Sequence, residues 1–135
     1  VLKLLDAVIF NVIAGNADAH GKNFSILYDT EGPRLAPLYD LLATVAYPDL
    51  SPKFAMKIGK RATLAELDDA GWAVFASDAG LGLPLTRRRI AEISKGVIEK
   101  VTAVASELSR LGLDKTAIEQ FADMIRERAR RLAGA

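Results

Sequence analysis

Apolar residues recur at helical spacing through most of the second half of the chain, and this periodicity is the strongest constraint on its fold. The pattern predicts helices over about residues 67–79 and 86–111, with Thr86 as the N-cap of the longer one and Gly112 after its end. A last amphipathic helix is predicted from Asp114 onward. A chain with this pattern folds as a mainly α protein.

The first residues predict one more helix, which ends near Gly15 because glycine readily takes the left-handed cap conformation. Charged and polar residues interrupt its apolar stripe, so the stripe lacks the roughly 18 consecutive apolar residues of a membrane span. Val1 already lies in the helical pattern and no methionine precedes it, so we interpret the chain as a fragment of a longer protein. The apolar stripe is formed by Leu2, Leu5, Ile9, Val12 and Ile13.

The composition is that of one compact domain, expected over residues 1–135. Half of the residues are hydrophobic, 26% are charged and the net charge is +1, which excludes a disordered tail and argues against direct binding of nucleic acid. The chain has no cysteine, so disulfides, thiolate zinc sites and a thiol nucleophile are excluded. A reducing, cytoplasmic setting fits this composition.

Small polar residues dominate one segment, residues 16–23, which is predicted to be a loop. It contains two asparagines, an aspartate, a lysine and the single histidine. Downstream, the pattern predicts a hairpin with strands at 24–28 and 34–38 around a five-residue turn, then a short helix at 41–46 and a strand at 53–58.

The hairpin decides which polar side chains meet. If Tyr28 pairs with Arg34, antiparallel registry places Asn23 opposite Tyr39 and next to Asp40. Opposed Cβ atoms in such a ladder are about 5 Å apart, so an amide oxygen and a carboxylate could bind one magnesium ion, which prefers oxygen ligands.

Asp18 would project from the neighbouring loop. A free carboxylate near a magnesium site is what phosphoryl transfer requires, because the metal neutralises phosphate oxygens and the carboxylate takes the proton of the attacking hydroxyl. The spacing from Asp18 to Asn23 also equals that of the Asp and Asn in the protein-kinase catalytic loop.

Structural roles are the alternative for each of these residues. Asp18 could cap loop amides, Asn23 could cap the strand, and Asp40 could be the N-cap of the predicted short helix. His20 could ligate a metal together with Asp18 or brace the loop by a hydrogen bond. Lys22 could contact a phosphate or be solvated.

Other conspicuous residues favour structural interpretations. The arginines at 87–89 and those between 126 and 131 are interpreted as solvated helix faces, since the net charge is close to neutral. Trp72 and Phe75, one helical turn apart, are interpreted as core residues. Gly80-Leu81-Gly82 precedes a proline and is interpreted as a connection between helices, not a phosphate-binding loop.

Two segments carry a family resemblance: Asn16-Ala-Asp18-Ala-His20-Gly-Lys22-Asn23-Phe-Ser, and then Leu35-Ala-Pro37-Leu-Tyr39-Asp40. Together they resemble the carboxy-terminal domain of the HipA family, bacterial serine/threonine protein kinases that act as toxins of toxin-antitoxin pairs. The resemblance is sharpest over residues 6–42. It implies a mainly α fold with a small β-hairpin, the helical C-terminal lobe of a protein-kinase-like architecture.

By this resemblance, Asp18 matches the catalytic aspartate, Asn23 and Asp40 match the magnesium-binding pair, and His20 and Lys22 match the loop residues that accompany the aspartate. The family implies ATP as phosphoryl donor, a DNA-binding antitoxin as partner and a protein substrate, of which a glutamyl-tRNA synthetase is the best-known example.

Departures from ordinary protein kinases accompany the resemblance. His20 stands where those kinases usually carry lysine, and Leu41-Leu42 follow Asp40 in place of Phe-Gly. No glycine-rich phosphate loop followed by a strand lysine is found, so we expect the isolated chain to be catalytically inactive without an ATP-gripping lobe. A non-catalytic helical interaction module and a small-molecule phosphotransferase are the alternative functions.

Overall fold

The computed structural model describes residues 1–134, which form four α-helices and two antiparallel β-hairpins. The fold is mainly α, as the periodicity predicts, but it contains a second hairpin that the sequence pattern did not indicate. The last residue of the expected domain, Ala135, lies outside the described residues. The elements are α1 (Leu2–Ala14), β1 (Ile26–Asp29), β2 (Gly32–Leu35), β3 (Lys53–Ile58), β4 (Arg61–Thr63), α2 (Asp69–Asp78), α3 (Leu83–Arg110) and α4 (Lys115–Ala133).

Helix α1 forms the centre of the core. Its residues Leu5, Ile9 and Ile13 are almost fully buried, and it packs against both α3 and α4. Burying a side chain of this size stabilises the folded state by about 1.5–3 kcal/mol. Trp72 and Phe75 of α2 join the same cluster in an edge-to-face arrangement, with ring centroids 5.8 Å apart, which confirms their interpretation as core residues. Among residues 1–134, no helix combines the length and apolar character that a membrane span requires.

Helix α3 begins three residues before its predicted start, and the predicted cap is wrong. Gly82 is the N-cap, while Thr86 is fully buried within the helix and donates its hydroxyl to the Gly82 carbonyl oxygen at 3.2 Å. Pro84 is compatible with this earlier start because the amide hydrogens of a first helical turn have no intrahelical partner. Helix α4 begins as predicted, with Asp114 capping the Ala117 amide at 2.8 Å.

The register of the first hairpin differs from the prediction by one residue. Tyr28 pairs with Pro33 instead of Arg34, so the turn has two residues and not five. Gly32 permits the tight connection with a φ of 102°. Asp29 stabilises it by accepting hydrogen bonds from the Glu31 amide at 2.9 Å and from the Arg34 guanidinium at 2.6 Å. The observed strands are therefore displaced from the predicted ones.

The predicted short helix at 41–46 is largely absent. Only Thr44–Ala46 form a 3₁₀ turn, because Asp40 takes a left-handed conformation with a φ of 57° and the chain leaves the hairpin in an irregular path. The second hairpin turns at Gly59 and Lys60, whose φ angles of 53° and 66° are both positive, as a tight two-residue hairpin turn requires.

Candidate active site

Helix α1 leads directly into the polar loop, and its end is held by a residue from the far end of the chain. Gly15 takes the left-handed cap conformation with a φ of 78°, as predicted. The Arg128 guanidinium donates from Nε to the Ile13 carbonyl oxygen at 2.8 Å and from Nη2 to that of Ala14 at 3.1 Å. A cation at the carboxyl end of a helix complements its dipole. Arg128 thus caps α1 immediately before the loop.

The arginines of α4 therefore correct one prediction. Arg128 is half-buried, and burial, followed by the neighbouring charge of Arg131, lowers its pKa from the usual value. Arg131 likewise donates to a backbone carbonyl, that of Leu64, at 2.9 Å. The interpretation of this group as a solvated face is therefore wrong for the half-buried Arg128, whereas the exposed Arg131 agrees with it although it also makes a hydrogen bond.

Asn16 is the hydrogen-bonding centre of the loop. It is only 4% exposed, and its Oδ1 accepts from the Asp18 amide at 3.1 Å. Its Nδ2 donates to Asn11 Oδ1 at 2.9 Å and to the Asp40 carbonyl oxygen at 3.1 Å. Asn16 thereby joins the end of α1, the residue Asp18 and the residue Asp40.

Thr44 fixes the same loop from the other side. Its Oγ1 accepts from the Ala17 amide at 2.8 Å and donates to the Gly15 carbonyl oxygen at 3.1 Å. The Ala17 carbonyl oxygen in turn accepts from the Ala55 amide of β3 at 2.8 Å. The backbone on the amino-terminal side of Asp18 is therefore held by two further parts of the chain.

The side chains of Asn23 and Asp40 are in direct contact. Asn23 Nδ2 donates to Asp40 Oδ2 at 2.6 Å, while Asn23 Oδ1 accepts from the His20 amide at 3.0 Å. Asn23 is buried at the end of a 3₁₀ turn, Gly21–Asn23, and the Asp40 residue is exposed. The expected proximity is present although the expected register is not. It arises from the 3₁₀ turn and the left-handed Asp40 and not from a continued ladder.

Asp18 is exposed and borders a cleft of about 280 Å³. Asn23 and Asp40 do not line that cleft, and their connection to Asp18 runs through Asn16. The structure thus brings all three residues into one loop cluster, with the carboxylate of Asp18 accessible from outside. The other cleft residues are Ala17, Leu42, Thr44, Leu50, Ser51, Lys53 and Ala55.

His20 and Lys22 support the loop mainly through their backbone. The Lys22 side chain is exposed, and its carbonyl oxygen accepts from the Tyr39 hydroxyl at 2.6 Å. The His20 amide binds Asn23, whereas the buried Nδ1 of its imidazole has no hydrogen-bond partner within residues 1–134. The bracing hydrogen bond considered for His20 is thus made by its backbone.

The pair of Asn23 and Asp40 suits a hard cation. Within the part of the chain that the structure describes, no group of three acidic, histidine or cysteine residues could hold a metal alone. Magnesium is usually bound by one or two protein oxygen ligands together with substrate phosphates and water, which is compatible with two ligands here. The Asn23 amide oxygen has a second lone pair beyond the one used by His20, and Asp40 Oδ1 has no hydrogen-bond partner among residues 1–134.

Asn16, Thr44, Arg128 and Lys53 were not singled out individually from the sequence. The first three act on backbone atoms or across long separations, for which a single sequence has no signal. Lys53 lines the Asp18 cleft because β3 runs beside the loop. Its position in a predicted strand gave no reason to place it there.

Comparison with known proteins assigns the family. The model of the HipA-like C-terminal domain matches residues 1–105. Y4mE from Sinorhizobium fredii, a protein named as a kinase, is 62% identical over 130 residues. The match covers 96% of this chain and 31% of that protein. The serine/threonine-protein kinase toxin HipA of Shewanella oneidensis is 30% identical over 112 residues, or 83% of this chain and 26% of that toxin.

A solved structure agrees in fold. The Shewanella oneidensis toxin-antitoxin complex of HipA, HipB and operator DNA contains a chain that matches 96% of this one with a TM-score of 0.87 and 27% identity, over 31% of its own length. The chain spans about a third or less of the length of each of these relatives. From the family match and the shared fold together, the chain belongs to the family of HipA-like C-terminal domains.

Proposed function

We propose that this chain is the C-terminal catalytic lobe of a HipA-like serine/threonine protein kinase, which transfers the γ-phosphate of ATP to a protein hydroxyl with magnesium. The contact between Asn23 and Asp40, in the same loop cluster as the exposed Asp18, is the observation that carries this proposal. The kinase names of the relatives support it.

Each residue has a distinct role in this proposal. Asn23 and Asp40 would hold the magnesium ion, which neutralises charge on the nucleotide phosphates. Asp18 would orient the acceptor hydroxyl and take its proton. Lys22, exposed beside the pair, would contact a phosphate, and His20 would keep Asn23 in place through its backbone amide.

The acceptor would approach through the cleft that Asp18 borders. Neither Asn23 nor Asp40 lines this cleft, so in this proposal the acceptor would occupy the cleft while the nucleotide is held at the Asn23–Asp40 contact. Lys53 and two half-exposed leucines, Leu42 and Leu50, line the cleft and would contact residues near the acceptor hydroxyl.

Activity would require a second lobe. Phosphate stabilisation in kinases is divided between the metal site and a glycine-rich loop with a lysine, and this chain contains only residues for the first. We therefore expect the 135-residue chain alone to transfer no phosphate. The greater length of the relatives fits this division.

A DNA-binding antitoxin would be the partner of the full gene product, which would act as the toxin of a cytoplasmic type II toxin-antitoxin pair. The solved relative, named as a complex with HipB and operator DNA, supports this. With a net charge of +1, this chain lacks the basic character that direct DNA binding favours. The phosphorylated substrate would be a protein, an aminoacyl-tRNA synthetase by family resemblance.

Phosphoryl transfer by the full gene product tests the proposal. ATP labelled at the γ-phosphate is supplied with magnesium or with EDTA, and mass spectrometry identifies the labelled product. We expect magnesium-dependent phosphoserine or phosphothreonine on a protein, reduced at least about 100-fold by Asp18→Ala. A wild-type protein without magnesium-dependent nucleotide binding would identify an interaction module, and label only on a small molecule would identify a different phosphotransferase. Either result would overturn the proposal.

A further inference from the structure

Asn16 occupies a position between the proposed base and the proposed magnesium ligand. Its carboxamide is buried, with the residue 4% exposed, and it makes three hydrogen bonds to three separate parts of the chain. Both Nδ2 hydrogens are used, one on Asn11 and one on Asp40, and Oδ1 accepts from the Asp18 amide.

No other side chain supplies this set of bonds at this size. Aspartate has the acceptor but no donor, so its second oxygen would face the oxygen atoms of Asn11 and Asp40. Alanine would leave the Asp18 amide, the Asp40 carbonyl and the buried Asn11 Oδ1 without their partner. The position is thus chemically specific for asparagine.

Asn11, in the core helix α1, anchors this arrangement. Asn11 is 6% exposed, and its Nδ2 donates to the Ala7 carbonyl oxygen of α1 at 2.9 Å. Through its hydrogen bonds, Asn16 therefore links the backbones of Asp18 and Asp40 to α1, the central helix of the core. The hydrogen bond from Asn16 supports the backbone of Asp40, whose φ of 57° is a conformation that residues with a side chain seldom adopt.

We propose that Asn16 is a positioning residue that sets the spacing between the Asp18 base and the magnesium ligand Asp40. This inference rests on the proposed function. Asn16 touches neither substrate nor metal, and it acts through the backbone of the two residues that would. Its loss moves Asp40 relative to Asp18 and weakens magnesium-dependent nucleotide binding and phosphoryl transfer together.

The test uses the full gene product with Asn16→Ala and Asn16→Asp. Thr86→Val is the matched control, since Thr86 is also buried and hydrogen-bonded but lies within α3. Calorimetry measures ATP binding against magnesium concentration, a transfer assay gives kcat and KM, and circular dichroism measures folding. We expect both Asn16 variants to need about 10- to 100-fold more magnesium for half-maximal ATP binding and to lose kcat, as for residues that support metal ligands. Thr86→Val keeps the wild-type magnesium dependence.

A merely structural role would lower the melting temperature without moving the magnesium dependence. A folded Asn16 variant with the wild-type magnesium dependence and kcat overturns the inference while the proposed function stands. Failure of both variants to fold would make Asn16 a folding residue and would also overturn it. A wild-type protein that binds no ATP in the presence of magnesium refutes the proposed function itself, and the inference with it.

Discussion

Arg128 offers a direct test of how the last helix supports the end of α1 and the polar loop that follows it. Its guanidinium donates two hydrogen bonds, at 2.8 Å and 3.1 Å, to the final carbonyls of α1, immediately before Gly15. In Arg128→Ala those bonds and the positive charge at the helix end are lost. Alanine and arginine have similar helix propensities, so α4 itself is barely affected.

The expected loss follows from these contacts. Each carbonyl left without its partner costs about 1–3 kcal/mol, and the lost cation at the helix end adds up to about 2 kcal/mol. The burial that lowers the pKa of Arg128 also destabilises the wild-type protein, because removing a guanidinium from water is unfavourable. Relief of this desolvation in Arg128→Ala partly offsets the loss of the two hydrogen bonds and the charge. We therefore expect the free energy of unfolding to fall by about 2–4 kcal/mol.

Arg130→Ala is the control, because Arg130 is exposed on the same helix and its loss changes the net charge equally. Urea denaturation followed by circular dichroism compares the two variants at equal m-value. With m of about 2 kcal/mol/M, Arg128→Ala shifts the midpoint by about 1–2 M, and Arg130→Ala changes stability by less than about 0.5 kcal/mol. Equal midpoints for the two variants would refute the capping role of Arg128.

Two further substitutions test local features of the fold. Gly15→Ala should destabilise the domain by more than about 1 kcal/mol, because the position has a φ of 78° and an added Cβ would lie 2.5 Å from Val45 Cγ2. Gly96→Ala, in open space on α3, should stabilise it by about 0.5–1 kcal/mol, and a melting temperature that fell in both variants would contradict this contrast. The hydrogen bond from Arg61, followed by that from the Gly71 amide, lowers the pKa of Asp68. The ionised Asp68 therefore contributes its full stabilisation above the ordinary carboxyl pKa of about 4, and this stabilisation is lost as the pH falls further. The melting temperature of Asp68→Asn should therefore fall less steeply below about pH 4 than that of the wild type. An equally steep fall in the two proteins would exclude this contribution of Asp68.

Local features of the fold were predictable because they depend on neighbouring residues. The amphipathic helices, the Gly15 cap, the start of the last helix at Asp114 and the polar loop all followed from short-range patterns. The start of α3 did not, because Thr86 is a good cap by type but Pro84 already fits the first turn. The hairpin register was wrong by one residue because Gly32 allows a shorter turn than its flanking sequence indicates.

The candidate site was predictable in part. The contact between Asn23 and Asp40 was expected from continued pairing of the hairpin strands. The backbone instead produces it by a 3₁₀ turn at Asn23 and a left-handed conformation at Asp40, which strand pairing does not predict. The support of the loop was not predictable. Asn16 donates to a backbone carbonyl 24 residues away, and Arg128 donates to one 115 residues away. Every residue has a backbone carbonyl, so the residue type of the acceptor does not reveal such a contact in a sequence.

The most direct measurement compares Asp18→Asn with Asp40→Asn in the full gene product, by calorimetry of ATP binding across magnesium concentrations and by the rate of phosphoryl transfer. If Asp18 is the base and Asp40 a metal ligand, Asp18→Asn keeps the wild-type magnesium-dependent binding but transfers phosphate at least about 100-fold more slowly. Asp40→Asn loses the magnesium dependence of binding. Wild-type transfer by Asp18→Asn, or wild-type magnesium dependence in Asp40→Asn, would contradict the assignment of the site.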